Sequence, residues 1–491
     1  MDESAFARSL FVKFLIGNEI GLSSILRPRL GWFAVRVLLV TWGSSGDFFP
    51  FLSLGRELKR RGHAVTLLGD AAWRERTERA GLGFASGLAW EEHNHPLSTD
   101  PELFSTAQGG LRCFRRLVEG VLVPLWYDLA ASLEREVAAG GYDLIVAHHL
   151  AFPVELLHER TGIPYATVCL APGLYPSASA MPSGFAHAPL PAWTGPLGRA
   201  VQRLFWGIGR WQVGRLLDPV ADGFRRRAGL PPKANAMWAG WSSRLVLHLY
   251  SEALAARPPE WGPQHVVTGF CFNDEAGDEG SGAGKAPASL PPEVEAFLDP
   301  RAGPKPWLFT LGTTAIHQPG AFYQAAVAAV AGTGHRAILL TGLEKNRASL
   351  PPLPPNVLAI PYLSHAAIFP RCAAVAHQCG IGTLAAGLRA GVPVVACPYA
   401  FDQPGNAALL AHTGTALVVP RESRTGPVFR RTFAKLLAGP APARARLLAA
   451  TIAKENGALT AALALEKEFG GGRVRGGAAP EAMNTPSGSG R

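Results

Sequence analysis

Short apolar runs, each followed by a glycine-bearing turn and then a stretch with helical spacing, recur along this chain. The first is Arg36 to Trp42, closed by Gly43-Ser-Ser-Gly46-Asp47. The helix expected next starts near Pro50, carries Leu52, Leu54 and Leu58, and ends in Lys59-Arg-Arg61-Gly62. Basic residues ahead of a terminal glycine suit a helix C-terminus. Ala64 to Leu68 reads as a second buried strand. Tyr142 to Ala147 and Tyr165 to Leu170 flank a helix near Phe152 to Arg160. The scheme then repeats. Trp307 to Leu311 ends in Gly312-Thr-Thr314, and an Ala/Val-rich helix runs through Val330. Further runs are Arg336 to Leu340, Val357 to Ile360, Ala373 to Ala376 and Val392 to Ala396. Alternating buried strands and helices predict an α/β protein with parallel, doubly wound, Rossmann-like sheets.

A chain of 491 residues exceeds one compact core and suits two domains. The expected division is an N-terminal arm over 1–34, a first Rossmann-like domain over 35–272, and a linker over 273–300. A second such domain over 301–468 and a disordered tail over 469–491 complete it. The linker contains Asn273 to Pro292, rich in Gly, Ala, Pro and acidic residues; the tail is rich in Gly, Pro and Ser. In the arm, Lys13 interrupts the apolar stretch Leu10 to Gly17 and no small-residue cleavage site follows, unlike a signal peptide. No apolar run approaches the ~20 residues that span a bilayer. Cys113, Cys169, Cys271, Cys372, Cys379 and Cys397 show no zinc or redox spacing and point to a reducing compartment.

The densest chemistry lies at His377-Gln-Cys-Gly-Ile-Gly-Thr383, after the strand ending at Ala376. A Gly-rich turn opening a helix near Gly382 leaves unpaired N–H groups at the positive helix end, a ready site for phosphate. Gly380 and Gly382 let a diphosphate approach the main chain. Beyond the next strand, Asp402-Gln403 can hydrogen-bond several hydroxyls. A diphosphate cradle beside a polyol clamp points to a nucleotide-sugar site.

These residues resemble the donor-site signature of glycosyltransferase family 1: His-x-Gly-Gly-x-Gly-Thr, then Ala-Gly-Val-Pro (here Ala390 to Pro393), then Asp-Gln. Cys379 stands where the family has its first Gly, which puts a small thiol beside the phosphates. The resemblance covers roughly residues 35 to 465 and implies the GT-B fold, two Rossmann-like domains facing a cleft. Within the family the chain resembles the rhamnosyltransferases of rhamnolipid synthesis and the bacterial lipid and sterol glycosyltransferases.

The resemblance implies a division of labour. The loop Gly312, Thr313 and Thr314 closes over the diphosphate held by His377, Cys379, Gly380, Ile381, Gly382 and Thr383. The base stacks on Tyr362 with His365 three residues on, and Asp402, Gln403 and Asn406 read the sugar. His377 is either a phosphate ligand or a strand-end histidine satisfied by a main-chain group. Asp402 either contacts sugar or caps the next helix. The Glu that often holds the ribose is replaced by Ala386, which suits dTDP but also fits sterol enzymes that use UDP-glucose.

Many family members carry a base in a Gly-His-x-x-Pro context; here Gly46-Asp47-Phe-Phe-Pro50 makes Asp47 the candidate catalytic residue. Its alternative role is as a helix cap. His148 and His149 form a second candidate pair, of which at most one faces the cleft, because successive strand residues point to opposite sides. The expected reaction is an inverting, metal-independent hexosyl transfer, with no cofactor beyond a UDP- or dTDP-sugar donor. The alternative is an inactive nucleotide-sugar-binding partner.

The expected acceptor is a hydrophobic, lipid-like or natural-product hydroxyl. Trp126, Tyr127, Phe185, Trp193, Phe205, Trp206, Trp211, Trp238 and Trp241 are candidates for its apolar pocket. Between Leu197 and Arg215, Arg199, Arg203, Trp206 and Arg210 share one helix face, while Val201, Leu204, Phe205 and Ile208 occupy another. A basic face carrying a Trp suits either solvent or an anionic membrane surface. The formal charge of +10 favours anionic partners. No reading motif for nucleic acid, no G-x-G-x-x-G and no P-loop Lys-Ser/Thr is present. The expected location is cytoplasmic, with peripheral contact at the inner face of the membrane as an option.

Overall fold

The computed structural model describes residues 34–88, 110–179, 195–273 and 290–470. The expected arm before Ala34, most of the linker, the tail beyond Gly470, Phe185 and Trp193 lie outside the described residues.

Two parallel sheets form, of seven and six strands. The first holds β1 (Arg36–Val40), β2 (Ala64–Asp70), β3 (Gly83–Leu88), β4 (Leu144–His148), β5 (Tyr165–Cys169), β6 (Val246–His248) and β7 (His265–Val267), in the order 3-2-1-4-5-6-7. The second holds β8 (Trp307–Thr310), β9 (Ala337–Leu340), β10 (Val357–Ile360), β11 (Ala374–His377), β12 (Val394–Ala396) and β13 (Ala416–Val418), in the order 10-9-8-11-12-13. In each sheet the order reverses beside the first strand of the lobe, β1 next to β4 and β8 next to β11. Such switch points open a crevice at the strand C-termini, where ligands of open α/β sheets bind.

The strands read from apolar runs are present. β3, β6, β7 and β13 carried too few apolar residues in sequence to announce themselves. β6 and β7 are three residues long each, and pairing of β6 with β5 and of β7 with β6 makes them strands. The helix after β1 spans Ser45–Arg60 rather than starting near Pro50. Proline favours a first turn, but Ser44 with Asp47 caps the helix earlier and Pro50 sits inside it. Pro50 has no N–H, so the carbonyl of Gly46 has no α-helical donor.

Within the segment expected as linker, the helix Pro292–Leu298 packs Val294 and Leu298 into the core beneath β8 and β9. The last helix, Gly457–Phe469, crosses back to the first lobe. Its Ala461, Ala462 and Leu465 join the core of Val37, Leu39 and Leu52. Glu466 accepts from Arg61 Nε and Nη2 at 2.7 and 2.6 Å, and lies 3.1 Å from His63 Nε2.

Candidate functional site

The two switch points face each other across the cleft. From the first lobe comes the N-terminus of the Ser45–Arg60 helix; from the second comes that of the Ile381–Ala390 helix. They touch through glycine: a β-carbon at Gly382 would stand 3.5 Å from Gly46 Cα. Beside this contact Ser45 Oγ and Thr313 Oγ1 are 2.9 Å apart. Ile381, half-buried, packs on the cores of both lobes.

Asp47 takes the cap role weighed for it and leaves one carboxylate oxygen facing His148. Its Oδ2 accepts from Ser44 N at 2.9 Å and Ser44 Oγ at 3.0 Å, closing the helix cap. Its Oδ1 faces His148 Nε2 at 3.6 Å, with the Asp47 side chain 32% exposed. Of the histidine pair, only His148 reaches Asp47. The His149 ring lies 4.2 Å from that of His148 and 5.6 Å from that of Trp241. Burial drives its pKa well below the ordinary value.

Asp70, at the end of β2, was not singled out in sequence because a lone Asp after a strand carries no motif. It is 3% exposed, accepts from Gly43 N at 3.2 Å through Oδ2, and leaves Oδ1 without a partner among the described residues. Burial pushes its pKa up to about 7; the Gly43 hydrogen bond opposes this and the charge of Asp47 adds to it. Asp402, across the cleft, is likewise pushed up to about 7, chiefly by burial, and Asp47 again contributes. Three carboxyl groups from both lobes therefore share one electrostatic neighbourhood.

The Gly-rich turn has the expected backbone and an unexpected lining. Cys379 adopts φ +65°, the left-handed conformation natural to the family's glycine. Its thiol turns away from the open side of the turn. It is fully buried against Leu384, Leu388 and Ala407, and burial raises its pKa well above the ordinary value. The apolar core beneath the turn, absent from any local reading, draws the thiol inward. The Cys379 amide donates to His377 Nδ1 at 3.0 Å, so His377 satisfies the main chain at the strand end. Its Nε2 is buried without a partner among the described residues, and burial lowers the ring's pKa to about 3.

Gln378, passed over in sequence as the variable residue of the motif, fills the space between the turn and the Gly312 loop. A β-carbon at Gly312 would stand 2.1 Å from Gln378 Nε2, and one at Gly380 would stand 3.0 Å from it. The same Nε2 lies 3.4 Å from Thr383 Oγ1. Thr314 precedes the single turn Ala315–His317, and Ile316 N closes back on Gly312 O at 3.1 Å.

The expected sugar clamp is partly internal. Asp402 precedes the helix Gln403–His412 and accepts from Asn406 Nδ2 at 2.6 Å. Gln403 Oε1 accepts from Tyr399 N at 2.9 Å and Ala400 N at 3.3 Å, which leaves its amide N–H groups as the polar part not engaged there. Asn406 is 0% exposed and also donates to Cys379 O at 3.0 Å. It therefore ties Asp402 to the turn rather than touching sugar, because helix spacing points it into the core. Tyr362 is half-buried after β10, and His365 stacks on Phe369 with ring centroids 4.5 Å apart.

The aromatic set expected around the acceptor is mostly core. Trp126, Trp206, Trp238 and Trp241 are buried, and Trp126 and Trp238 spend their indole N–H groups on Leu150 O and Leu174 O. Beside His148 and His149, a cavity of about 20 Å³ is lined by Trp126, Phe152 and Met237, room for a single water. Trp206 does not sit on the exposed basic face; the long helix Gly195–Arg227 turns it inward.

Comparisons with known proteins fit this geometry. The family described as "Glycosyltransferase family 28 N-terminal domain" matches residues 37–175, and "Erythromycin biosynthesis protein CIII-like, C-terminal domain" matches residues 325–460. The O-mycaminosyltylonolide 6-deoxyallosyltransferase of Streptomyces fradiae is 32% identical over 445 residues, covering 88% of this chain and 97% of that protein. A sterol 3-beta-glucosyltransferase of Arabidopsis thaliana is 26% identical over 386 residues, covering 75% of this chain and 55% of that protein. Among solved structures, the calicheamicin glycosyltransferase CalG4 superposes with a TM-score of 0.64 at 19% identity, covering 90% of this chain and 99% of that one. The spinosyn rhamnosyltransferase SpnG complexed with thymidine diphosphate gives 0.59 at 19% identity, covering 88% and 100%. With two facing Rossmann-like sheets and a relative alike over nearly its whole length, this chain belongs to the GT-B glycosyltransferases, enzymes that take a sugar from a nucleotide donor.

Proposed function

We propose that the protein moves a hexose of glucose or rhamnose type, with inversion and without a metal, from a UDP- or dTDP-sugar to a hydroxyl of a hydrophobic acceptor. Asp47 is the base and the second lobe binds the donor. The observation that carries this is the meeting of two helix N-termini at Gly46 and Gly382, with Asp47 in the first turn of one of them. Two positive helix ends converge where a diphosphate would leave, which supplies the electrostatic stabilisation a cation would otherwise provide. His377 Nε2 faces Gly387 in the middle of the second helix, 3.6 Å from where a β-carbon there would stand, so the ring supports the helix from beneath rather than reaching that charge. The names of the relatives favour a natural-product or sterol-like acceptor.

The test is a thermal-shift screen against UDP- and dTDP-sugars, followed by transfer to macrolide and sterol hydroxyls. A donor that binds only the folded state raises the melting temperature. Stabilisation by a nucleotide sugar, with transfer lost in Asp47→Asn, supports the reading. Stabilisation without transfer by the wild type would instead identify an inactive binding partner.

The long helix adds a membrane reading to the same proposal. Leu197, Leu204, Ile208 and Trp211 are 71, 64, 50 and 60% exposed. They share a helical stripe that also carries exposed Arg215, which lies over the Trp211 ring, while exposed Arg199, Arg203 and Arg210 lie to one side of it. An apolar stripe with arginines at its edge complements an anionic bilayer surface, where a lipid-like acceptor would reside.

A further inference from the structure

Trp42 follows β1 and is 7% exposed. Its indole Nε1 donates to His148 Nδ1 at 3.1 Å, and the main-chain N–H of Leu150 reaches the same nitrogen at 3.3 Å. Neither donor can accept, so Nδ1 must present its lone pair to both. The ring proton is thereby confined to Nε2. That nitrogen faces Asp47 Oδ1 at 3.6 Å, while Asp47 Oδ2 is engaged by Ser44.

We propose that Trp42 is a positioning residue that locks His148 in the Nε2–H tautomer, so that His148 donates to the acceptor oxygen whose proton Asp47 removes. The proposal rests on the reading of Asp47 as base. The separation of 3.6 Å is long for a direct hydrogen bond. An oxygen set to one side of that line stands at ordinary hydrogen-bond distance from both atoms.

In the transfer, the acceptor O–H bond breaks and its proton passes to Asp47 Oδ1. The oxygen's electron pair forms the new bond to the anomeric carbon. The bond from that carbon to the diphosphate oxygen breaks, and its pair leaves with the diphosphate. His148 neither gains nor loses a proton; its Nε2–H moderates charge on the attacking oxygen and fixes the direction from which it arrives. A histidine base would need a bare Nε2 when the hydroxyl arrives, and Trp42 and Leu150 withhold that tautomer.

The test uses the full chain labelled with 15N-histidine. Long-range proton–nitrogen spectra, with His148 assigned by its loss in His148→Gln, should show Nδ1 bare and Nε2 protonated at neutral pH. Trp42→Phe should mix the tautomers. A wild-type ring protonated on Nδ1 overturns the proposal, whether or not the variants fold. In turnover, His148→Gln keeps an N–H near the Nε2 position and should retain at least about tenfold more kcat than His148→Ala, at unchanged donor KM. Equal loss in the two variants also overturns the proposal. A wild-type protein that transfers no sugar would overturn the reading of Asp47 as base. A wrong tautomer in an active protein would overturn only the role of Trp42.

Discussion

Ser45 Oγ and Thr313 Oγ1 stand 2.9 Å apart, joining the first turn of the Ser45–Arg60 helix to the loop after β8. Their separation of 268 positions in sequence makes this a tie between the lobes at the mouth of the cleft. Thr313→Val keeps the side chain's shape and removes the hydroxyl. Stability should fall by ~0.5–1.5 kcal/mol, and kcat/KM for the donor by a few-fold. Denaturant titration and steady-state kinetics check both, and an unchanged kcat/KM would show that the tie plays no part in catalysis.

Asp47 is both cap and proposed base, and one substitution separates the two. Asn retains a side-chain oxygen for Ser44 N and Ser44 Oγ but cannot take up a proton near neutral pH. Asp47→Asn should therefore lose roughly 10²–10⁴-fold in turnover while keeping its melting temperature within a few degrees and still binding donor. Asp47→Ala should lose activity and also ~0.5–2 kcal/mol of stability with the cap.

Asp70 predicts a pH dependence. In the folded protein it holds its proton up to about pH 7, against an ordinary value of 3.8. Folding therefore takes up a proton between those values, so this residue's contribution declines as pH rises from about 4 to about 7 and is constant above. Asp70→Asn removes that decline. Measured at several pH values, the variant should gain on the wild type across this window, by on the order of 4 kcal/mol at its upper end. A difference independent of pH would refute the raised pKa.

Asn406 joins Cys379 O to Asp402 Oδ2 from a fully buried position. Asn406→Leu should cost ~1–3 kcal/mol by leaving the Cys379 carbonyl unpaired, and should weaken donor binding through a misplaced Asp402. Calorimetry of folding and of nucleotide-sugar binding reads the two effects separately. Retention of full donor affinity would mean that Asp402 does not depend on this tie.

The stripe Leu204, Ile208 and Trp211 should bind vesicles containing anionic lipid more tightly than zwitterionic ones. Ile208→Ser with Trp211→Ser should abolish that binding without altering transfer to a water-soluble acceptor. Flotation assays with and without added salt check it. Equal flotation of the double variant would rule out this face.

Much of the fold was legible because a parallel strand buried on both faces must be apolar throughout, so β1, β8, β10 and β11 stand out from their surroundings. β3, β6, β7 and β13 did not, because they are short or interrupted by glycine and polar residues, and lie toward the outer parts of their sheets. The turn at His377 to Thr383 was legible for a similar reason, since close backbone approach demands glycine wherever it occurs. The direction of the Cys379 thiol, the burial of Asn406 and the inward turn of Trp206 were not. Each depends on which side of a helix or turn meets a core assembled from remote segments.

By itself the sequence determined two Rossmann-like lobes and a Gly-rich turn opening a helix at the end of a second-lobe strand, because local backbone geometry and strand burial restrict residue types directly. The tertiary structure alone decided that Asp47 meets His148, that Asp70 lies within reach of the Asp47 charge, and that Trp42 donates to His148 Nδ1. Such relationships depend on which strand ends the order β2-β1-β4 brings side by side in the first sheet, and nothing local in the chain encodes them.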